Sequence, residues 1–89
     1  FPITTLKIDR TFVTGIPEDM NDCAIAQAIV TMGKQLRQEI VAEGVETVEQ
    51  MEFLRDLGCD QLQGYLFSPP VSADDFEQMV REGRRLVQP

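Results

Sequence analysis

Five polar side chains carry most of the chemistry that this sequence offers: Lys7, Asp9, Glu43, Glu46 and Gln63. Glu43 is the hardest to read as ordinary surface. It follows the apolar run Ile40-Val41-Ala42 and precedes Gly44, so it leaves a buried strand directly into a turn. A charged group there must be solvated, paired or metal-bound. Lys7 reads either as an exposed edge lysine that discourages strand pairing or as a cation orienting water or a phosphate oxygen. Asp9 either caps the following turn or steadies the lysine or a metal. Glu46 stands just ahead of a helix start, where the helix dipole favours an acid. Gln63 needs partners for both ends of its amide, and Gly64 beside it permits close backbone approach. Clustered carboxylates of this kind suit a hard divalent cation. Nucleophile-and-base chemistry has little support, because histidine is absent and Ser68 has no evident partner. No glycine-rich phosphate loop is present.

These residues need strands to carry them. Residues 4–9 alternate with period two, placing Leu6 and Ile8 on one face and Lys7 and Asp9 on the other. Arg10 to Asp19, with Gly15 and Pro17, reads as a connector. Asn21 or Asp22 is a candidate cap for a helix over about 22–37, with Ile25, Ala28, Ile29, Met32 and Leu36 as its apolar stripe. No glycine ends that helix; Arg37-Gln38 occupies the place. Ile40 to Glu43 is a second strand. Thr47-Val48-Glu49-Gln50 is a capping box opening a second helix, with Val48, Met51, Leu54 and Leu57 buried and Gly58 at its end. Leu62 to Phe67 is a third strand, with Gln63 and Tyr65 on its polar side, stopped by Ser68-Pro69-Pro70. Ser72-Ala73-Asp74-Asp75 opens a third helix that buries Phe76, Met79, Val80 and Leu86. The alternation of strand and helix predicts parallel strands joined by right-handed crossovers. In such folds ligands sit at the carboxyl ends of the strands, where all five polar residues lie.

With 89 residues the chain is one domain at most. It begins at Phe1 rather than Met and has no leader pattern, so a piece of a longer protein is expected. No apolar run approaches a membrane span. A net charge of −7 argues against DNA or RNA as a partner, yet leaves room for a phosphate ligand held through a cation. Cys23 and Cys59 form no metal-binding pattern and read as reduced thiols packed as small hydrophobes.

Three segments in this order resemble the closing part of the EAL domain, the family of bacterial cyclic di-GMP phosphodiesterases. They are Leu6-Lys7-Ile8-Asp9-Arg10, Val41-Ala42-Glu43-Gly44-Val45-Glu46-Thr47 and Gln63-Gly64-Tyr65-Leu66-Phe67-Ser68. Glu49-Gln50, Leu54-Arg55 and Leu57-Gly58-Cys59-Asp60 resemble it too. The resemblance implies an α/β fold in which residues 1–89 form the last three β-α units of a (β/α)8 TIM-type barrel, an incomplete barrel. It implies metal-dependent hydrolysis of cyclic di-GMP to pGpG by the complete domain, in the bacterial cytoplasm, with any membrane anchor lying in other domains. Lys7 and Glu43 would be catalytic, Asp9 would lie near a metal-bound water, and Glu46 and Gln63 would support substrate and loop.

The Glu-Ala-Leu signature is absent, as are the family's asparagine, further glutamate and paired aspartates, which would lie upstream of Phe1. Arg37 stands where the family often has glycine. The complete domain would use Mg²⁺ or Mn²⁺, whereas tight metal binding is not expected of this piece, and neither is hydrolysis. A parent that is a catalytically inactive EAL-type receptor for cyclic di-GMP or for a protein is the alternative. A full barrel needs about 250 residues, so three units leave open edges, and a homo-oligomer or domain swap is expected of the isolated chain.

Overall fold

The structure is a computed structural model that describes residues 4–64 and 69–82. Three parallel strands form the sheet: β1 (Thr5–Ile8), β2 (Glu39–Val45) and β3 (Gln61–Gly64). A two-residue strand β4 (Val71–Ser72) adds to β3 antiparallel, giving the order β1-β2-β3-β4. The helices are α1 (Arg10–Val13), α2 (Met20–Gln35), α3 (Val48–Leu57) and α4 (Ala73–Arg81). The parallel pairings match Lys7 to Val41 to Gln61, and Ile8 to Ala42 to Leu62. The row Ile8, Ala42, Leu62 is fully buried and joins Ala26 and Val30 of α2, Met51 and Leu54 of α3, and Phe76 of α4 in one core. The helices therefore cover that face. Lys7, Glu43, Gln61 and Gln63 project from the opposite one, by the alternation of a strand.

The predicted plan of parallel strands and crossover helices is what the chain adopts, with local departures. The connector after β1 contains a single helical turn, α1, too short for periodicity to reveal. α2 is capped by Asp19, whose carboxylate accepts from the Asp22 amide at 3.0 Å, rather than by Asn21 or Asp22. Its buried residues are Ala26, Val30 and Gly33; of the predicted stripe Ile29 packs partly buried against the core, whereas Ile25, Ala28, Met32 and Leu36 are exposed, Leu36 at 60%. The reason is closeness. A Cβ on Gly33 would lie 3.0 Å from Ile40 Cδ1, so α2 sits low on the sheet through its small side chains. The larger ones are turned to the flank. Val30 and Lys34 meet Gly58 at the end of α3, so at 100° per residue Ile25, Met32 and Leu36 lie on the flank away from α3.

Arg37 closes α2 in the left-handed conformation, φ +57°, while the Gln38 amide donates to Gly33 O at 2.9 Å. This is a glycine-type helix terminus made by an arginine. The Thr47 capping box, the Gly58 terminus at φ +110° and the Ser72 cap of α4 form as predicted. Asp60 accepts from the Ile40 amide at 2.8 Å and from Lys34 at 3.4 Å, joining the starts of β2 and β3 to α2. Burial pushes the Cys59 thiol up to about 12, as suits an inert core residue. The predictions on Tyr65 to Ser68 and on Leu86 lie outside the described residues.

Candidate functional site at the carboxyl ends of the strands

Each strand delivers a polar side chain where it ends. β1 ends at Ile8, so Lys7 is its last outward side chain and Asp9 the first residue beyond it. Asp9 caps α1: its Oδ2 accepts from the Thr11 amide at 2.9 Å. Hydrogen bonding from Thr11 holds the Asp9 carboxyl below its usual range, so it is ionised at neutral pH. The capping reading of Asp9 is therefore realised, and its second oxygen takes no part in that bond.

Glu43 does not leave β2 for a turn, as its neighbour Gly44 suggested. β2 continues through Gly44 to Val45, with a register shift: Ala42 pairs with Leu62, and Val45 with Gly64. Three steps on β2 match two on β3, which is a bulge, and Gly44 at φ +78° supplies the conformation. The extra residue returns Val45 to the core, where it is fully buried, while Glu43 stays on the polar face. Gly44 also allows close contact, since a Cβ there would fall 2.5 Å from Arg10 Cβ.

Lys7 Nζ lies 3.8 Å from Glu43 Oε2, with the two side chains 64% and 31% exposed. Register explains the meeting. Lys7 is level with Val41, so Glu43 is its diagonal neighbour on the same face. Beside this pair lies a cavity of about 250 Å³ lined by Asp9, Arg10, Glu43, Gly44, Gln63 and Gly64. Four of the five predicted residues thus converge: Asp9, Glu43 and Gln63 on the cavity, and Lys7 on Glu43. Glu46 is different. It precedes the Thr47 cap of α3, half-buried, with its amide donating to Gln50 Oε1 at 2.8 Å, and it stands outside the cavity lining.

Arg10 was not singled out by spacing, yet it lines the cavity; the signal available was its position directly after Asp9. The sequence presents Gln50 as half of a capping box, and its side chain also donates to Val13 O at 3.1 Å. That contact joins residues far apart in sequence and has no local signature.

Asp9, Glu43 and Gln63 line one cavity, and two carboxylates with an amide are the residue types that surround a hydrated, oxygen-preferring cation. Among the described residues no three carboxylates or thiolates converge on a metal position. No helix among the described residues is long and apolar enough to cross a membrane.

The EAL domain profile matches residues 1–70. The chain is 46% identical over 83 residues to the cyclic di-GMP phosphodiesterase NbdA of Pseudomonas aeruginosa, covering 93% of this chain and 11% of that protein. Among solved structures, the PaMucR phosphodiesterase in complex with c-di-GMP superimposes with a TM-score of 0.68 at 49% identity, covering 85% of this chain and 31% of that one. BlrP1 of Klebsiella pneumoniae, as a manganese and cyclic di-GMP complex at pH 6, gives a TM-score of 0.67 at 34% identity, covering 82% and 19%. The chain thus spans about a tenth of the length of the curated relatives it matches. Its sheet of parallel strands with crossover helices is part of the TIM-type barrel of those structures. With the polar ends of those strands assembled on one rim, the chain belongs to the EAL domain family.

Proposed function

We propose that this chain is the closing part of a metal-dependent cyclic di-GMP phosphodiesterase, residues 1–89 forming the last three β-α units of its barrel. The observation that carries the reading is the Lys7–Glu43 pair at 3.8 Å, beside a cavity lined by Asp9 and Gln63, in a member of this family. In the complete domain Lys7 holds a non-bridging phosphate oxygen or the attacking water by charge. Glu43 takes the proton of that water or keeps Lys7 in place. Asp9, ionised and anchored on α1, orients the water from the other side. Gln63 positions the substrate edge, and Glu46 supports the β2–α3 loop. Water adds to one phosphorus, one ribose oxygen leaves with a proton, and linear pGpG results. Mg²⁺ or Mn²⁺, when bound, lowers the pKa of the water and neutralises phosphate charge; Asp9 and Glu43 are the residues here that would contact its water shell. The reaction is assigned to the cytoplasm.

The exposed flank of α2, with Ile25, Met32 and Leu36, supports the barrel reading. It lies away from α3, beside β1, which among the described residues is paired on one side only. In a barrel the helix of the preceding unit covers that flank.

The test is turnover by the complete domain. Cyclic di-GMP with Mn²⁺ is expected to yield pGpG, with the yield lost in Glu43→Gln. Nucleotide binding without any pGpG would instead make the parent a receptor and overturn the phosphodiesterase reading.

A further inference from the structure

We propose that Gln50 is a positioning residue that locks the loop after β1 to the loop after β2, and so fixes Asp9 and Arg10 relative to Glu43 and Glu46. Gln50 is 3% exposed and is the buried polar side chain of the described core. Its Oε1 accepts from the Glu46 backbone amide at 2.8 Å and the Thr47 backbone amide at 3.2 Å, while its backbone N–H donates to Thr47 Oγ1 at 3.1 Å. Those contacts complete the cap of α3, and a glutamate would supply them equally well. The remaining contact is what requires an amide. Gln50 Nε2 donates to Val13 O at 3.1 Å, and a carboxylate has no proton to offer there.

Val13 is the last residue of α1, and Asp9 is the N-cap of the same single turn. One turn of helix has little stability of its own. α1 is pinned at its end by Gln50 and at its start by the close passage of Gly44 against Arg10. Of the residues thereby set in register, Asp9, Arg10 and Glu43 line the cavity, and Glu46 stands at the start of the loop that follows. The inference rests on the proposed function only in taking that cavity as the site.

The experiment compares two substitutions in the complete domain. Gln50→Glu keeps the acceptor of the cap and removes the donor to Val13. Thr47→Ala damages the cap and leaves that donor in place. For Gln50→Glu, exchange of the Thr14 and Ile16 amides, which close the end of α1, should rise about tenfold. Its kcat for pGpG formation should fall about ten- to hundredfold with KM little changed, as expected of misplaced groups. For Thr47→Ala both quantities should stay within about twofold of wild type even though global stability falls. Equal losses of kcat in the two variants, or unchanged Thr14 and Ile16 exchange in Gln50→Glu, would overturn the inference. Should Gln50→Glu not fold, a large kcat loss in Thr47→Ala still overturns it, and retained kcat there supports it. If the wild-type domain shows no turnover, the phosphodiesterase reading fails on its own, and the exchange arm still decides whether the lock exists.

Discussion

Removing the charge of Lys7 separates what this residue does for the fold from what it does for the chemistry. At 3.8 Å, two unit charges attract by about 1 kcal/mol in a water-like dielectric and about 4 kcal/mol at an effective dielectric of 20. The exposures of 64% and 31% put the pair near the lower figure, and ordering two side chains offsets part of it, leaving about 0–1 kcal/mol. Lys7→Met, which keeps the apolar stem, should therefore lower the melting temperature of the complete domain by no more than about 5 °C. A double-mutant cycle with Glu43→Gln should give a coupling below about 1 kcal/mol. Turnover should behave differently. A preorganised cation aimed at developing phosphate charge is worth about 10²–10³ in kcat, so Lys7→Met should lose that much while still folded. The assay is pGpG formation alongside urea denaturation of the same samples. A coupling of about 3 kcal/mol or more would show a desolvated structural pair, and wild-type turnover would remove Lys7 from the mechanism. Either result refutes the reasoning.

Four further outcomes follow from particular residues. Arg37 sits at φ +57°, so Arg37→Gly should raise stability by about 1 kcal/mol in urea denaturation, and a loss would mean the side chain is needed there. Gly44→Ala meets both a left-handed φ and the 2.5 Å approach to Arg10; it should cost about 1–3 kcal/mol in the same assay. Cys59 is held protonated in the fold up to about 12, against 9.0 for an ordinary thiol. Above about pH 9 the unfolded thiol ionises and the folded one does not, so this contribution is complete below 9 and is lost as pH climbs toward 12. Urea midpoints from pH 8 to 11 should fall less steeply for Cys59→Ala than for wild type, and parallel curves would refute the assignment. The isolated chain, with the α2 flank and the β1 edge open, should self-associate; light scattering that shows a monomer at high concentration would contradict this.

The amino-acid sequence alone determined the main alternation of strands and helices and named Lys7, Asp9, Glu43 and Gln63 of the rim, but not α1, β4 or the place of Arg10. Thr47-Val48-Glu49-Gln50, Gly58 and Ser72 act through contacts a few residues long, so their roles are written locally. The period-two run around Lys7 likewise names its own faces. Tertiary structure decided the rest. Which flank of α2 is buried depended on how near Gly33 comes to Ile40, a distance set by the sheet and invisible to periodicity, which favours the larger side chains. Glu43 stays on the polar face because a bulge at Gly44 absorbs one residue, and only the pairing with β3 shows that step. Gln50 reaches Val13 across the molecule because α1 packs over the end of β2. Local hydrogen bonds and alternation can be read along a chain; close approach and register arise between segments, and they exist only once those segments have met.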